Sequence, residues 1–203
     1  VLMVAVARMS ASTPICGDTE VGVDRMYSFV RHHNPDFPRE IAEAYYEVGC
    51  RYGVRGDVAL CQAILETGWF RFDRGTAVSP EQHNYCGLGV VAKRHQGHSF
   101  STIEEGVTAH IQHLYAYSTK HGLPEGETVV DPRFGYVKRG SAKTWEGLNG
   151  KWAANKHYSD RILKLYLQLS GRVIEVIEVD VPDEFFDDLY YCCLLYTSDA
   201  ADE

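Results

Sequence analysis

The chain has 203 residues, 45% of them hydrophobic and 24% charged, which is enough for one domain with its own core. Its net charge of −8 is unevenly placed: residues 1–170 carry 19 basic against 18 acidic side chains, and residues 171–203 carry one against 10. A body this close to neutral argues against a dedicated nucleic-acid surface, and no apolar run is long enough to span a bilayer.

Residues 1–14 read as a linker or the remnant of a preceding segment. The run Val1-Leu-Met-Val-Ala-Val-Ala resembles the end of a secretion signal, although no basic stretch precedes it. Thr19 is expected to cap a helix through Val23, Met26, Tyr27 and Val30. Ile41, Tyr45, Val48 and Tyr52 recur at helical spacing, and Gly53 supplies a stop. Asp57 then caps Val58 to Glu66, where apolar residues wrap nearly all the way round, the pattern of a central, buried helix. Residues 67–100 are rich in glycine and aromatic residues and read as loops or short strands.

Ser101-Thr-Ile-Glu104 forms a capping box for a helix with Ile103, Val107, Ile111 and Leu114 on one face. A turn-rich connection from Gly122 to Asp131 and short helical pieces over 142–148 follow. A last amphipathic helix carries Tyr158, Ile162, Tyr166 and Leu169. Residues 171–191 read as an acidic linker, with Val173 to Val179 either a strand or extended. Residues 192–203 resemble the translation of a sequencing-library adapter and are expected to contribute nothing to function. The predicted fold class is mainly α.

Cys16, Cys50, Cys61 and Cys86 show no metal-ligand spacing and are expected to be buried free thiols. His110 and His113 lie three apart on one helix, but no further ligand is patterned beside them. They are expected to be core or solvated histidines, and neither metal nor cofactor is predicted. The basic stretch from Lys93 to His98 reads as a solvated rim.

Glu66 carries the chemical signal. It is the one ionisable group between Asp57 and Arg71, apart from Cys61, and it ends the most apolar helix. A carboxyl among apolar neighbours has a raised pKa and stays protonated, ready to donate its proton. Glycoside cleavage needs such a donor for the leaving oxygen. A Glu that caps nearby backbone or pairs with an Arg is the alternative reading.

Gln62-Ala-Ile-Leu-Glu66-Thr-Gly-Trp69 resembles the catalytic signature of the glucosaminidases (glycoside hydrolase family 73, lysozyme-like fold). Asn84-Tyr-Cys-Gly87-Leu-Gly89, the helix around Ala109, Asp131-Pro-Arg-Phe, Lys151-Trp-Ala153 and Tyr158 continue that resemblance in order over residues 15–170. It implies a lysozyme-like helical domain with a cleft of loops or short strands, which cuts the β-1,4 bond after N-acetylglucosamine in peptidoglycan. Glu66 would be the general acid, with Tyr158 stabilising charge near the anomeric centre; core packing is the other reading of Tyr158. Gln62, Trp69, Phe70, Asn84 and Gly87 would bind substrate, although Trp69 and Phe70 read equally well as core.

The resemblance further implies a monomeric module of a larger, extracellular wall hydrolase whose partner is the glycan strand. A lytic transglycosylase of the same fold and a catalytically silent wall-binding module are the rival readings. One departure matters. No acidic residue lies between Glu81 and Glu104, where several relatives carry an acid-bearing hairpin. Asp73, Glu81 or a distant residue would have to serve as second carboxylate, or else the substrate's own acetamido group takes that role.

Overall fold

The computed structural model describes residues 12–73, 76–90 and 97–172. The expectations for residues 1–11, for Lys93 to Gln96, for the acidic linker beyond Arg172 and for residues 192–203 lie outside that range. Among the described residues there are five α-helices: α1 (Val23–His33), α2 (Arg39–Tyr52), α3 (Gly56–Thr67), α4 (Ile103–Ser118) and α5 (Tyr158–Ser170). Single-turn 3₁₀ helices punctuate the connections, and the β pairing consists of isolated bridges such as Cys16 with Val54. The fold is mainly α, consistent with a lysozyme-like helical domain. No described helix is long and apolar enough to cross a membrane.

Helix α3 is the centre. Every residue from Gly56 to Ile64 is buried, and α2, α4 and α5 all pack on it. Two glycines allow close backbone packing, one of α3 on α2 and one of α4 on the His83 loop. A Cβ on Gly56 would sit 2.0 Å from the Tyr45 carbonyl oxygen of α2, and one on Gly106 would sit 1.9 Å from the carbonyl of His83. Both close approaches bring backbone against backbone, so no side chain fits there.

The helix starts differ from expectation in an instructive way. Thr19 does not cap α1, whose N-cap is Gly22; its hydroxyl instead accepts from the Gly56 N–H at 3.0 Å and so caps α3 from a distant loop. Asp57 lies inside α3 rather than before it, and the N-cap is Arg55. Thr102 is the N-cap of α4, accepting from the Glu105 N–H, while the Glu105 carboxylate accepts from the N–H of Ser101. The cap is thus one residue later than predicted. Cys61 and Cys86 are buried thiols as expected, whereas Cys16 and Cys50 are exposed.

Asp57 is not the cap but the centre of a buried polar knot. Its buried carboxylate accepts from the backbone N–H groups of Glu20 (3.0 Å), Val21 (3.2 Å) and Val58 (2.9 Å) and from the Arg55 guanidinium at 3.0 and 3.1 Å. Arg55 is buried too and reaches Tyr166 of α5 at 2.6 Å. Removing Asp57 would leave the buried Arg55 with only the half-exposed Glu20 carboxylate, 3.2 Å away, as its ion-pair partner. Asp57→Ala should therefore lose about 3–5 kcal/mol of stability in denaturant titration. An unchanged midpoint would show that this knot does not hold the α3 start.

Candidate active site

The C-terminal end of α3 places Glu66 where the helix leaves the core. The chain then turns sharply: Gly68, Trp69, Phe70 and Phe72 all have positive φ, at 60°, 63°, 57° and 55°. Three non-glycine residues in that region cost about 1–3 kcal/mol each, so the turn must be held by its surroundings. The Thr67 hydroxyl donates to the Ala63 carbonyl and accepts from the Phe70 N–H, at 2.7 and 2.8 Å. The Asn34 amide donates to the carbonyls of Trp69 and Phe70 at 3.0 and 3.3 Å.

Glu66 lines a hollow of about 580 Å³ with Trp69, Arg71, Thr76, Arg161 and Lys164 among its walls, and no other described residue lining it carries a carboxyl group. Burial pushes the Glu66 carboxyl above its ordinary value, while hydrogen bonding from Tyr158, the Arg161 charge and hydrogen bonding from Trp152 pull it partly back. The Tyr158 hydroxyl, at the first residue of α5, donates to Glu66 Oε1 and accepts from Gln62 Nε2 at 2.8 Å. Burial and the Glu66 charge push the Tyr158 phenol well above its usual value, so it stays a neutral donor.

Glu66, Tyr158 and Gln62 thus meet; Glu66 and Trp69 line the hollow, while Tyr158 and Gln62 lie buried behind Glu66 and are not among its lining residues. Gln62 is fully buried, with its amide engaged by Tyr158 and His110. Trp69 also packs on His33, with ring centroids 3.7 Å apart. Phe70 faces the other way, against Phe37 and Tyr85 (centroids 4.8 and 5.6 Å), beside a second hollow of about 690 Å³ that excludes Glu66.

Asn84 is fully buried and spends its amide on its own loop. It donates to the carbonyls of Leu88 and His98 and accepts from the Leu88 N–H, each at 2.9 Å. Gly87, with φ +68°, forms the turn inside that loop. Of the candidate second acids, Asp73 lines the larger hollow and Glu81 is exposed on the 80–82 turn.

Two residues at the site had no role in the sequence reading. Trp152 lies in an irregular segment, and its ring also meets His110 and His113, with centroids 5.6 and 5.0 Å away. Only the Lys151-Trp-Ala153 match drew attention to it. Arg161 is one helical turn beyond Tyr158, a spacing that puts both on one side of α5. The two α4 histidines are core groups: His110 bonds Tyr45 and Gln62, and His113 bonds the buried Asp131 at 2.7 Å. Among the described residues no three His, Cys, Asp or Glu side chains converge as metal ligands do.

Each donor to Glu66 favours its ionised form, so removing one should raise its pKa further. Carboxyl NMR titration of Trp152→Phe and of Tyr158→Phe should show Glu66 titrating at higher pH than in the wild type. A downward movement in either variant would contradict these contacts.

The chain matches the glucosaminidase family, described as mannosyl-glycoprotein endo-beta-N-acetylglucosaminidase, over residues 42–170. It is 42% identical over 140 residues to a protein of Borreliella burgdorferi described as uncharacterized, with 67% of each chain covered. No solved structure matches it. The family match spans α3, α4 and α5 and most of α2, and with them Glu66 and Tyr158, and the chain therefore belongs to the glucosaminidase family.

Proposed function

We propose that this protein hydrolyses the β-1,4 bond after N-acetylglucosamine in peptidoglycan, with Glu66 as general acid. One observation carries the reading: a half-buried carboxyl, its pKa raised by desolvation, lines an open hollow with no second carboxyl among the described lining residues. Arg71, Arg161 and Lys164 beside it suit a glycan whose alternate sugars carry peptides with free carboxylates.

In the first step Glu66 gives its proton to the bridging oxygen as the C1–O bond breaks. The substrate's acetamido oxygen attacks C1 and forms a cyclic oxazolinium ion. In the second step the Glu66 carboxylate takes a proton from water, the water oxygen bonds to C1, and the ring reopens to the acetamide. Both protons are accounted for at Glu66, and the hollow needs no second acid. Tyr158 keeps its own proton and stabilises the carboxylate that forms between the steps. The substrate places the working enzyme outside the cell membrane, as a module of a wall hydrolase.

Digestion of purified peptidoglycan, with mass analysis of the new ends, tests this. The expected product has N-acetylglucosamine at its reducing end. Glu66→Gln should fold normally and lose about 10²–10⁴-fold in rate. Anhydro-sugar ends would assign a lytic transglycosylase, binding without new ends would indicate a silent module, and wild-type cutting by Glu66→Gln would remove Glu66 from the mechanism.

A further inference from the structure

A line of buried polar groups runs from Glu66 into the core. Tyr158 donates to Glu66 Oε1, Gln62 Nε2 lies 2.8 Å from the Tyr158 oxygen, His110 Nε2 lies 3.0 Å from Gln62 Oε1, and the Tyr45 hydroxyl lies 2.7 Å from His110 Nδ1. Gln62, His110 and Tyr45 are each completely buried, and they come from three helices, α3, α4 and α2.

The direction of every bond in this line follows from the inventory of protons. Whether Glu66 is ionised or carries its proton on the other carboxyl oxygen, Oε1 only accepts, so the single Tyr158 proton points at it. The Tyr158 oxygen must then accept, so the Gln62 NH₂ faces it and the Gln62 carbonyl faces His110. That carbonyl needs a donor, which puts the imidazole proton on Nε2 and leaves Nδ1 to accept from Tyr45. A neutral ring has one proton to give, and burial together with the neighbouring His113 pushes His110 down to about 3, so the ring is neutral wherever the enzyme would work. The other groups against His110 are the Trp152 ring and the edge of Tyr45.

We propose that Gln62, His110 and Tyr45 are positioning residues that fix the direction of the Tyr158 proton toward Glu66. Resting on the reading of Glu66 as the acid, this keeps Oε1 an acceptor throughout and reserves the other carboxyl oxygen for the proton that is given and regained. No proton travels along the line; it sets polarity. The direction is stored at its far end. Without the Tyr45 hydroxyl, His110 can carry its proton on Nδ1 or Nε2. With Nε2 bare, the Gln62 amide can turn over, and its carbonyl then competes with Glu66 for the Tyr158 proton.

Nitrogen NMR of the His110 side chain tests the direction without any substrate. The wild type should show the Nε2–H tautomer, and Tyr45→Phe should show a mixture. A proton found on Nδ1 in the wild type overturns the proposal. Kinetics on peptidoglycan form the second arm.

Tyr45→Phe, which removes one atom, should lower kcat a few-fold with KM unchanged. Wild-type kcat in Tyr45→Phe, while Glu66→Gln is inactive, would sink the positioning role and leave the acid assignment standing. An active Glu66→Gln would sink the acid assignment itself.

Discussion

A carboxyl group set among apolar side chains is expensive to ionise, and the architecture around α3 is arranged so that one such group, Glu66, still reaches solvent. The helix is buried along nearly its whole length and emerges only at its last turn, where Glu66 lines a hollow. Desolvation raises its pKa, while Tyr158, Arg161 and Trp152 limit how far that goes. The balance suits a group that must give up a proton and take one back. A fully exposed Glu would lose its proton too early, and an isolated buried one would not release it.

Everything else in the fold serves that placement. The Arg55–Asp57 knot ties the start of α3 to the loop at 20–21 and to α5, and α5 carries Tyr158. Backbone contacts at Gly56 and Gly106 set α3 on α2, and α4 beneath the His83–Asn84 segment. The strained turn after Glu66 is pinned by Thr67 and Asn34, which aims Trp69 to one side of the loop and Phe70 to the other. The buried line from Tyr45 to Tyr158 joins four helices, α2, α4, α3 and α5, so it also reports whether they are in register.

Much of this was legible in the sequence, because the helices of a small α domain write their packing into their spacing. The apolar period found α2, α4 and α5, and the apolar run before Glu66 marked α3 as central. Caps were misassigned where the partner is remote: nothing local tells that Thr19 serves α3 rather than α1. Gln62 read as a sugar contact because it stands in the motif, yet the all-round burial of α3 already placed it inside. His110 shares a face with Val107 and Leu114, which pointed to the core, but its bonds to Tyr45 and Gln62 depend on tertiary contact. Trp152 sits in a segment without periodicity, and no pattern assigned it a role.

The central claim is that the proton held on Glu66 is the one the reaction uses. The direct measurement is the pH dependence of peptidoglycan cleavage, set beside the Glu66 titration followed by NMR in the same protein. The raised pKa predicts a rate that is sustained above the usual carboxylate range and falls as pH rises through the Glu66 midpoint, with the two midpoints coinciding. A rate that stays level while Glu66 loses its proton would contradict the account.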